Sequence, residues 1–153
     1  MPTSDLYFSG PCMRADHERL ERAFQDIAER TATGEWRELD VAWDDFAKGL
    51  ELHMRFEEET FFPALASWPG AAMEIAALLE EHAEFRQRMG SLGVAIQIHE
   101  VRKDEIAELL SRLRAHAARE DRTLYRWAEE YRAQEARPGG RRIRGRSDRP
   151  REP

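Results

Sequence analysis

Two ten-residue segments of this chain share one pattern of charged and aromatic residues at an offset of 63 positions. HMRFEEETFF starts at His53 and HAAREDRTLY starts at His116; each continues with Glu at +4, an acid at +5, Thr at +7 and an aromatic residue at +9. Because residues four apart share one face of an α-helix, Glu57 and Glu120 lie beside these histidines. The repeat predicts two helix pairs related by an approximate two-fold axis.

Apolar residues recur with helical spacing in four segments, separated by short turns near residues 34, 69 and 102. Pro63 is predicted to kink or end the second helix, and Asp104 to be the N-cap of the fourth. No strand pattern and no glycine-rich phosphate loop competes with these helices. Short turns between long amphipathic helices favour antiparallel neighbours. The predicted fold class is therefore all-α, an antiparallel up-down-up-down four-helix bundle.

Each predicted helix carries one histidine on its apolar face: His17, His53, His82 and His116. Measured from the turns, their depths in the bundle differ by two to six residues, or about 3–9 Å. The four histidines therefore fall in roughly one layer. His99 lies 17 residues beyond His82, roughly 25 Å along a straight helix, so it is predicted to be a surface or turn residue outside this layer.

Buried imidazoles and carboxylates are costly without partners, so this layer needs groups that satisfy it. Two metal ions would do so, with two histidine nitrogens for each ion and both glutamates as bridges, leaving positions open for water, oxygen or another small ligand. Such ligands suit iron, manganese or zinc, and the absence of cysteine ligands argues against a structural thiolate zinc site. The predicted metal ligands are His17, His53, Glu57, His82, His116 and Glu120.

Each of these residues has a simpler interpretation when it is taken alone. A single inner-face histidine is more often hydrogen-bonded within a core than bound to metal, and His-x-x-x-Glu spacing is common on exposed helices. Their joint occurrence at matched depth, repeated twice, favours metal. A metal-free helical interaction protein is the remaining alternative, and it leaves the inner-face glutamates without a role.

Length and composition fit one helical domain of 153 residues, 41% hydrophobic and 35% charged. The N-terminus lacks a signal-peptide pattern, and no apolar run approaches the roughly 20 residues that span a bilayer. Cys12 is the single cysteine. A reducing cytoplasm is therefore the expected location, and no membrane contact is expected.

The last seventeen residues, 137–153, form an arginine-rich segment with a net charge of +5, against −11 for the rest of the chain. With Ile143 as its single apolar residue, the segment is predicted to be a disordered tail. The predicted division is an N-terminal arm at 1–11, the bundle at 12–136 and this tail. Binding of nucleic acid or an acidic partner by the tail is an alternative. A solvated tail without a specific partner is favoured.

The segments that carry these residues resemble the hemerythrin-like, or HHE cation-binding, family over about residues 12–134. The matching segments are DHERL, HMRFEEETFFPAL, EEHAEF and HAAREDRTLY. The resemblance implies a hemerythrin-like bundle in which the six residues bind two iron ions (Fe2+/Fe3+) that share an oxo or hydroxo bridge. Glu57 and Glu120 would be the bridging carboxylates, and iron is favoured over zinc or manganese. The implied function is a non-haem di-iron protein that binds or senses oxygen or a related small molecule.

Arg86 departs from the family pattern, because oxygen-carrying members have a second histidine at that position, one turn after the third-helix histidine. A guanidinium does not coordinate iron, so reversible oxygen carriage is disfavoured. A di-iron redox enzyme acting on peroxide or nitric oxide, and iron storage or buffering, are alternatives, and whether the chain is an enzyme stays open. Arg86 either leans over the pocket to hold an anion or turns outward to meet an acid, and the second is favoured.

Four other residues are weaker candidates for the site. Glu21 completes a third His-x-x-x-Glu unit, but an ion pair with a nearby arginine is favoured over metal ligation. Glu58 and Glu81 adjoin predicted ligands and either hydrogen-bond to the site or remain exposed acids. Tyr125 lies about two and a half turns after the fourth histidine, where core packing is its expected role.

Overall fold

The structure is a computed structural model that describes residues 10–136, and every regular element in that range is helical. Six α-helical segments alternate with short turns and with two π-helical turns. In chain order the elements are α1 (Gly10–Thr33), α2 (Trp36–Phe56), the first π turn (Glu57–Phe61), α3 (Phe62–Leu65), α4 (Ala71–Gln97), α5 (Lys103–Glu120), the second π turn (Asp121–Tyr125) and α6 (Arg126–Glu135).

These segments form four long helices, because the backbone keeps right-handed helical angles on both sides of each π turn. The second long helix consists of α2, the first π turn and α3, and the fourth consists of α5, the second π turn and α6. The α1 helix packs against α2 and α5, and α4 packs against the same two helices. The predicted all-α four-helix bundle is confirmed, with each long helix between two neighbours.

The three turns between the long helices depend on residues with positive φ. Gly34 (φ 73°) and Gly70 (φ 81°) adopt the left-handed region, where the absence of a Cβ removes the steric penalty. His99 (φ 59°) lies in the third turn, and its ring stacks on Trp36 with the centroids 4.8 Å apart. His99 is thus a turn residue, as its position in the sequence predicts.

Two details of the fourth and second helices differ from the sequence predictions. The N-cap of α5 is Arg102 rather than Asp104, because the extended backbone of Arg102 (φ −100°, ψ 146°) places its N–H 3.0 Å from the Glu105 carboxylate, which accepts a hydrogen bond. Asp104 instead pairs with the Arg102 guanidinium. Pro63 does not end the second long helix, because it follows the first π turn and the α-helical backbone continues past it to Leu65.

Within residues 10–136, the core consists of two apolar clusters, and a polar layer separates them on every long helix. On α1 the polar residue His17 lies between Met13 of the smaller cluster and Leu20 of the larger one. On α4, His82 lies between Leu78 and Phe85 in the same way. Full burial of each such apolar side chain stabilises the fold by roughly 1.5–3 kcal/mol, so the clusters hold the intervening layer in place.

The arm and the tail predicted at the two ends fall largely outside residues 10–136. Gly10 and Pro11, assigned to the arm from the sequence, belong to the first turn of α1. The predicted disordered tail at 137–153 lies outside the described residues. Within the described range, no helix combines the length and the apolar character that crossing a bilayer requires.

Candidate metal centre

The four histidines of the polar layer face one another in two pairs through their Nε2 atoms. His17 and His53, called the first pair, have these atoms 2.9 Å apart. His82 and His116, called the second pair, have them 3.2 Å apart. Such a convergence directs four nitrogen lone pairs or N–H groups toward a common interior. Each pair therefore presents two potential ligand atoms to one small volume.

Glu57 and Glu120 lie between the two pairs, and each directs one oxygen to each pair. Oε1 of Glu57 is 3.5 Å from Nε2 of His53, and its Oε2 is 3.4 Å from Nε2 of the second-pair histidine His82. Oε2 of Glu120 is 3.1 Å from Nε2 of His17, and its Oε1 is 2.9 Å from Nε2 of His116. Both side chains have no solvent exposure. The arrangement has the form of two carboxylates bridging two adjacent sites.

The hydrogen bonding of these carboxylates is incomplete without a cation. Glu57 Oε2 and Glu120 Oε1 are buried and accept no hydrogen bond from the described part of the chain, although imidazole nitrogens lie close to both. An unsatisfied buried carboxylate oxygen is strongly unfavourable. The surrounding atoms form two clusters suited to a metal ion, one around each pair, and both include the two glutamates. The donor set of imidazole nitrogen and carboxylate oxygen thus fits a pair of metal ions.

Comparison with known protein families agrees with this geometry. The family model for the hemerythrin HHE cation-binding domain matches residues 12–128. The chain belongs to this family. No curated protein and no solved structure matches the chain. The resemblance inferred from the sequence is confirmed, and metal binding is the property that the family and the His/Glu clusters of this HHE domain indicate together.

Three carboxylates orient the histidines of the HHE domain from behind. Nδ1 of His53 is 2.8 Å from Asp16 and Nδ1 of His82 is 2.8 Å from Glu58. Nδ1 of His116 is 2.5 Å from Glu81. A carboxylate at Nδ1 keeps the proton on that atom and leaves Nε2 free to coordinate a metal. The proposed contacts of Glu58 and Glu81 with the site are therefore present, and Asp16 was not foreseen.

Each of these carboxylates is also bonded by an arginine. Arg19 bonds to Asp16 at 2.6 Å, and Arg119 bonds to Glu81 at 2.7 Å. Arg86 donates to Glu58 at 2.8 Å and also binds Glu51. The favoured prediction for Arg86, that it turns away from the pocket to meet an acid, is thus confirmed. Glu58 bonds both Arg86 and His82, so it connects the arginine to the second pair.

The two π turns begin at or directly after the glutamates, a feature that sequence reasoning missed. Glu57 is the first residue of the first π turn, and Glu120 is followed by the second. Nine residues of regular α-helix are about two and a half turns, which would place Tyr125 opposite His116. The wider π turn takes up an extra residue and rotates the following helix. The sequence signal for the π turn was the aromatic residue nine positions after the histidine, which a regular α-helix would place on the opposite face.

Tyr125 enters the polar layer as a result of this rotation. Its hydroxyl donates to Glu57 Oε1 at 2.6 Å, and it lies 3.2 Å from Nε2 of His17 and 3.3 Å from Glu120 Oε2. Burial and the nearby negative charges of Glu120 and Glu57 raise the pKa of Tyr125 far above its ordinary value. The hydroxyl therefore stays protonated as a donor, and the expectation of core packing alone was incomplete.

The charges of the layer shift the pKa values of its members. Burial disfavours the protonated form of His82, but the carboxylates of Glu120 and Glu57, 3.6 and 3.4 Å from its Nε2, outweigh burial and raise its pKa to about 10. The hydrogen bond to His53 is the main cause that lowers the pKa of Asp16 to about 2. Burial opposes ionisation of Glu120, yet His116 and the other imidazoles hold its pKa well below the usual range. The carboxylates thus stabilise positive charge at the centre.

The remaining candidates lie away from the two clusters. Glu21 pairs with Arg114, as favoured from the sequence, and is absent from the metal-suited clusters of the described residues. Cys12 is exposed on α1. All six predicted ligands, by contrast, converge within the two clusters. Their assignment as ligands is a prediction that the geometry makes specific.

Proposed function

We propose that this HHE domain is a non-haem di-iron protein that binds or senses oxygen or a related small molecule at a carboxylate-bridged centre. One observation carries the proposal: Glu57 and Glu120 each direct one oxygen to the first pair and one to the second. That disposition supports two adjacent ions rather than one. Imidazole with carboxylate is a ligand set suited to iron, and family membership favours iron over zinc or manganese.

Each pair of histidines would hold one ion, and both glutamates would bridge the two. When bound, the iron pair supplies redox chemistry and exchangeable positions for a small molecule. Asp16, Glu58 and Glu81 fix the imidazole orientations through Nδ1. Tyr125 holds its proton on the hydroxyl that donates to Glu57, beside the first pair. The hydroxyl lies 3.2 Å from Nε2 of His17, so a ligand at the first pair could share its proton.

A cavity of about 250 Å³ adjoins the first pair and supports binding of a small apolar molecule. It is lined by His17, His53 and His116, and also by Glu18, Glu21 and Arg114. The rest of the wall is apolar, formed by Leu20, Phe24, Phe46, Leu50, Leu110, Leu113 and Ala117. Dioxygen and nitric oxide are small and weakly polar, so an apolar approach to the imidazoles favours them over ions and larger polar molecules.

The test is optical, on the full chain loaded anaerobically with Fe2+. We expect oxygen or nitric oxide to change the visible spectrum and the change to reverse on removal of the gas, without turnover. Leu113→Trp, which narrows the cavity, should slow the change, whereas Leu79→Trp, at an exposed position on α4, should leave it unaltered.

Other results of this test would support a different function. Steady peroxide turnover that disappears in His53→Ala and Glu120→Ala would replace sensing with a redox enzyme at the same centre. No spectral response to oxygen, nitric oxide or peroxide, in a protein that holds two irons, would contradict small-molecule binding and leave storage or buffering of iron.

A further inference from the structure

We infer that the two metal positions hold their ions unequally: the second pair retains its ion, and the first pair exchanges its ion with the solution. This inference rests on the proposed two-metal centre and concerns the residues around it. The sequence repeat makes the two positions equivalent in their ligand atoms. The difference arises from the side chains that surround those ligands.

The second pair is buried against aromatic side chains. His82 has no solvent exposure, and its ring stacks on Phe62 with the centroids 5.7 Å apart. The His116 and Phe85 rings form a T-shaped contact with their centroids 5.0 Å apart. Neither ring can rotate without displacing a buried aromatic side chain. A ligand that cannot rotate away keeps its metal longer.

Both histidines of the second pair are also fixed at Nδ1 by an acid that an arginine anchors. Glu58 holds His82 and is bonded by Arg86. Glu81 holds His116 and is bonded by Arg119, which in turn bonds to Glu74. A charge-assisted chain of this kind sets the ring orientation and raises the basicity of the ligand nitrogen.

Within the described residues, the first pair has this support on one histidine only. His53 is buried and held at Nδ1 by Asp16. The His17 side chain is 16% exposed, and the contacts it makes within residues 10–136 are made through Nε2, with no carboxylate at Nδ1. The apolar cavity reaches both of these imidazoles, whereas in the second pair it reaches His116 and not His82. His17 is therefore the ligand most able to swing away and admit a competing molecule.

The repeat identifies the acid that is equivalent to Glu58 but does not support His17. Asp121 occupies the place in the fourth helix that Glu58 occupies in the second, one residue after the bridging glutamate. Asp121 does not contact His17; it forms an ion pair with Arg14 on α1. The same arginine binds Glu129 at 2.5 Å. Arg14 thus draws away the acid that would otherwise complete a symmetric centre.

The experiment is the release of iron from the full chain, loaded anaerobically with Fe2+, into an excess of a ferrous-selective chelator. We expect two phases of equal amplitude, one ion each, with rates that differ at least roughly tenfold. Glu81→Gln should accelerate the slow phase by roughly 10–100-fold, and Asp16→Asn should accelerate the fast phase alone. His17→Ala should remove the fast phase and leave one ion in the slow phase.

Glu84→Gln is the matched control, because this acid on α4 is exposed and pairs with Arg112 rather than with a histidine. Both rates should be unchanged in it. Two ions released at one common rate, or acceleration of the fast phase by Glu81→Gln, would overturn the inference and leave the two-metal centre intact. Fewer than two ions bound at the start would overturn the two-metal centre itself and the inference with it.

Discussion

The two histidine pairs have the same ligand types but different surroundings. Around the second pair, both imidazoles are buried against phenylalanine rings and held by acids at Nδ1. Around the first pair, one imidazole is partly exposed, a tyrosine hydroxyl is in contact, and an apolar cavity opens. The repeat therefore preserves the ligands while the neighbouring positions diverge. A symmetric ligand set does not imply a symmetric centre.

The divergence can be located at equivalent positions of the repeat. At +9 from the helix histidine, the second helix has Phe62 and the fourth has Tyr125. Phe62 stacks on His82 of the second pair, whereas the Tyr125 hydroxyl reaches His17 of the first. One pair thus gains an apolar cover and the other a proton donor. This division favours metal retention on one side and ligand chemistry on the other.

The largest effect should come from a change that affects both pairs at once. Glu57→Ala removes a carboxylate that contacts each pair, so we expect metal content to fall from about two ions per chain to well below one. Elemental analysis after anaerobic loading measures this. Glu59→Ala, two residues away on the exposed side, is the control and should keep its metal. Retention of one tightly held ion in Glu57→Ala would show that the pairs are independent.

A smaller effect is expected from Tyr125→Phe. This variant gives the fourth helix the residue type that the second helix has at the equivalent position, Phe62. Glu57 Oε1 loses its 2.6 Å donor in a buried site, so the free energy of unfolding of the metal-free protein should fall by about 1–3 kcal/mol. Denaturant unfolding measures the change. When a small molecule binds at the first pair, the visible spectrum of the iron-loaded variant should differ from that of the unsubstituted protein. An unchanged stability and spectrum would remove Tyr125 from the site.

The pH dependence should differ between the metal-free and the loaded protein. The pKa of His82 is raised from 6.5 to about 10 in the metal-free fold, so its stabilising contribution is complete below pH 6.5 and is lost as pH rises toward 10. Metal binding requires that same imidazole to lose its proton, so metal affinity rises over this range. The gap in Tm between loaded and metal-free protein should therefore widen from pH 6.5 to 10. A constant gap would contradict coordination by His82.

At low pH, the stability of the metal-free protein should depend on Asp16. The pKa of Asp16 is lowered to about 2, so its contribution to stability is present above its ordinary pKa of 3.8 and is lost as pH falls toward 2. Asp16→Asn should flatten this part of the Tm profile of the metal-free protein. An identical acid limb in the variant would mean that the bond between Asp16 and His53 does not stabilise the fold.

The smallest effect is expected from the arginines. Arg86→Ala removes the partner of Glu58, and we expect release from the second pair to accelerate only a few-fold, with a stability loss of about 1 kcal/mol or less. Arg114→Ala, which removes an exposed ion pair with Glu21, should change neither property measurably. If both variants changed the rate of iron release equally, Arg86 would have no specific role at the metal centre.

The fold and the six clustered residues could be predicted because they depend on local periodicity. Helical spacing places His53 and Glu57 on one face whatever surrounds them, and the 63-residue repeat supplies a second, independent copy. Depth along the bundle follows from helix rise and the positions of the turns. These properties are encoded within each helix, so one sequence is sufficient to read them.

The surroundings of the site could not be predicted from the same patterns. Asp16 supports His53 on another helix rather than its own neighbour His17, and such a contact depends on how the two helices are rotated against each other. The N-cap at Arg102 depends on a single extended residue. The π turn that brings Tyr125 inward changes helix phase without a glycine or proline in its sequence, DRTLY.

The most direct test of the two-metal centre is the iron content of the full chain after anaerobic reconstitution with Fe2+ and removal of unbound metal. We expect about two irons per chain, reduced to about one in His17→Ala. One iron or none in the unsubstituted protein would contradict it, because the two carboxylates that link the histidine pairs would then have no pair of ions to bridge.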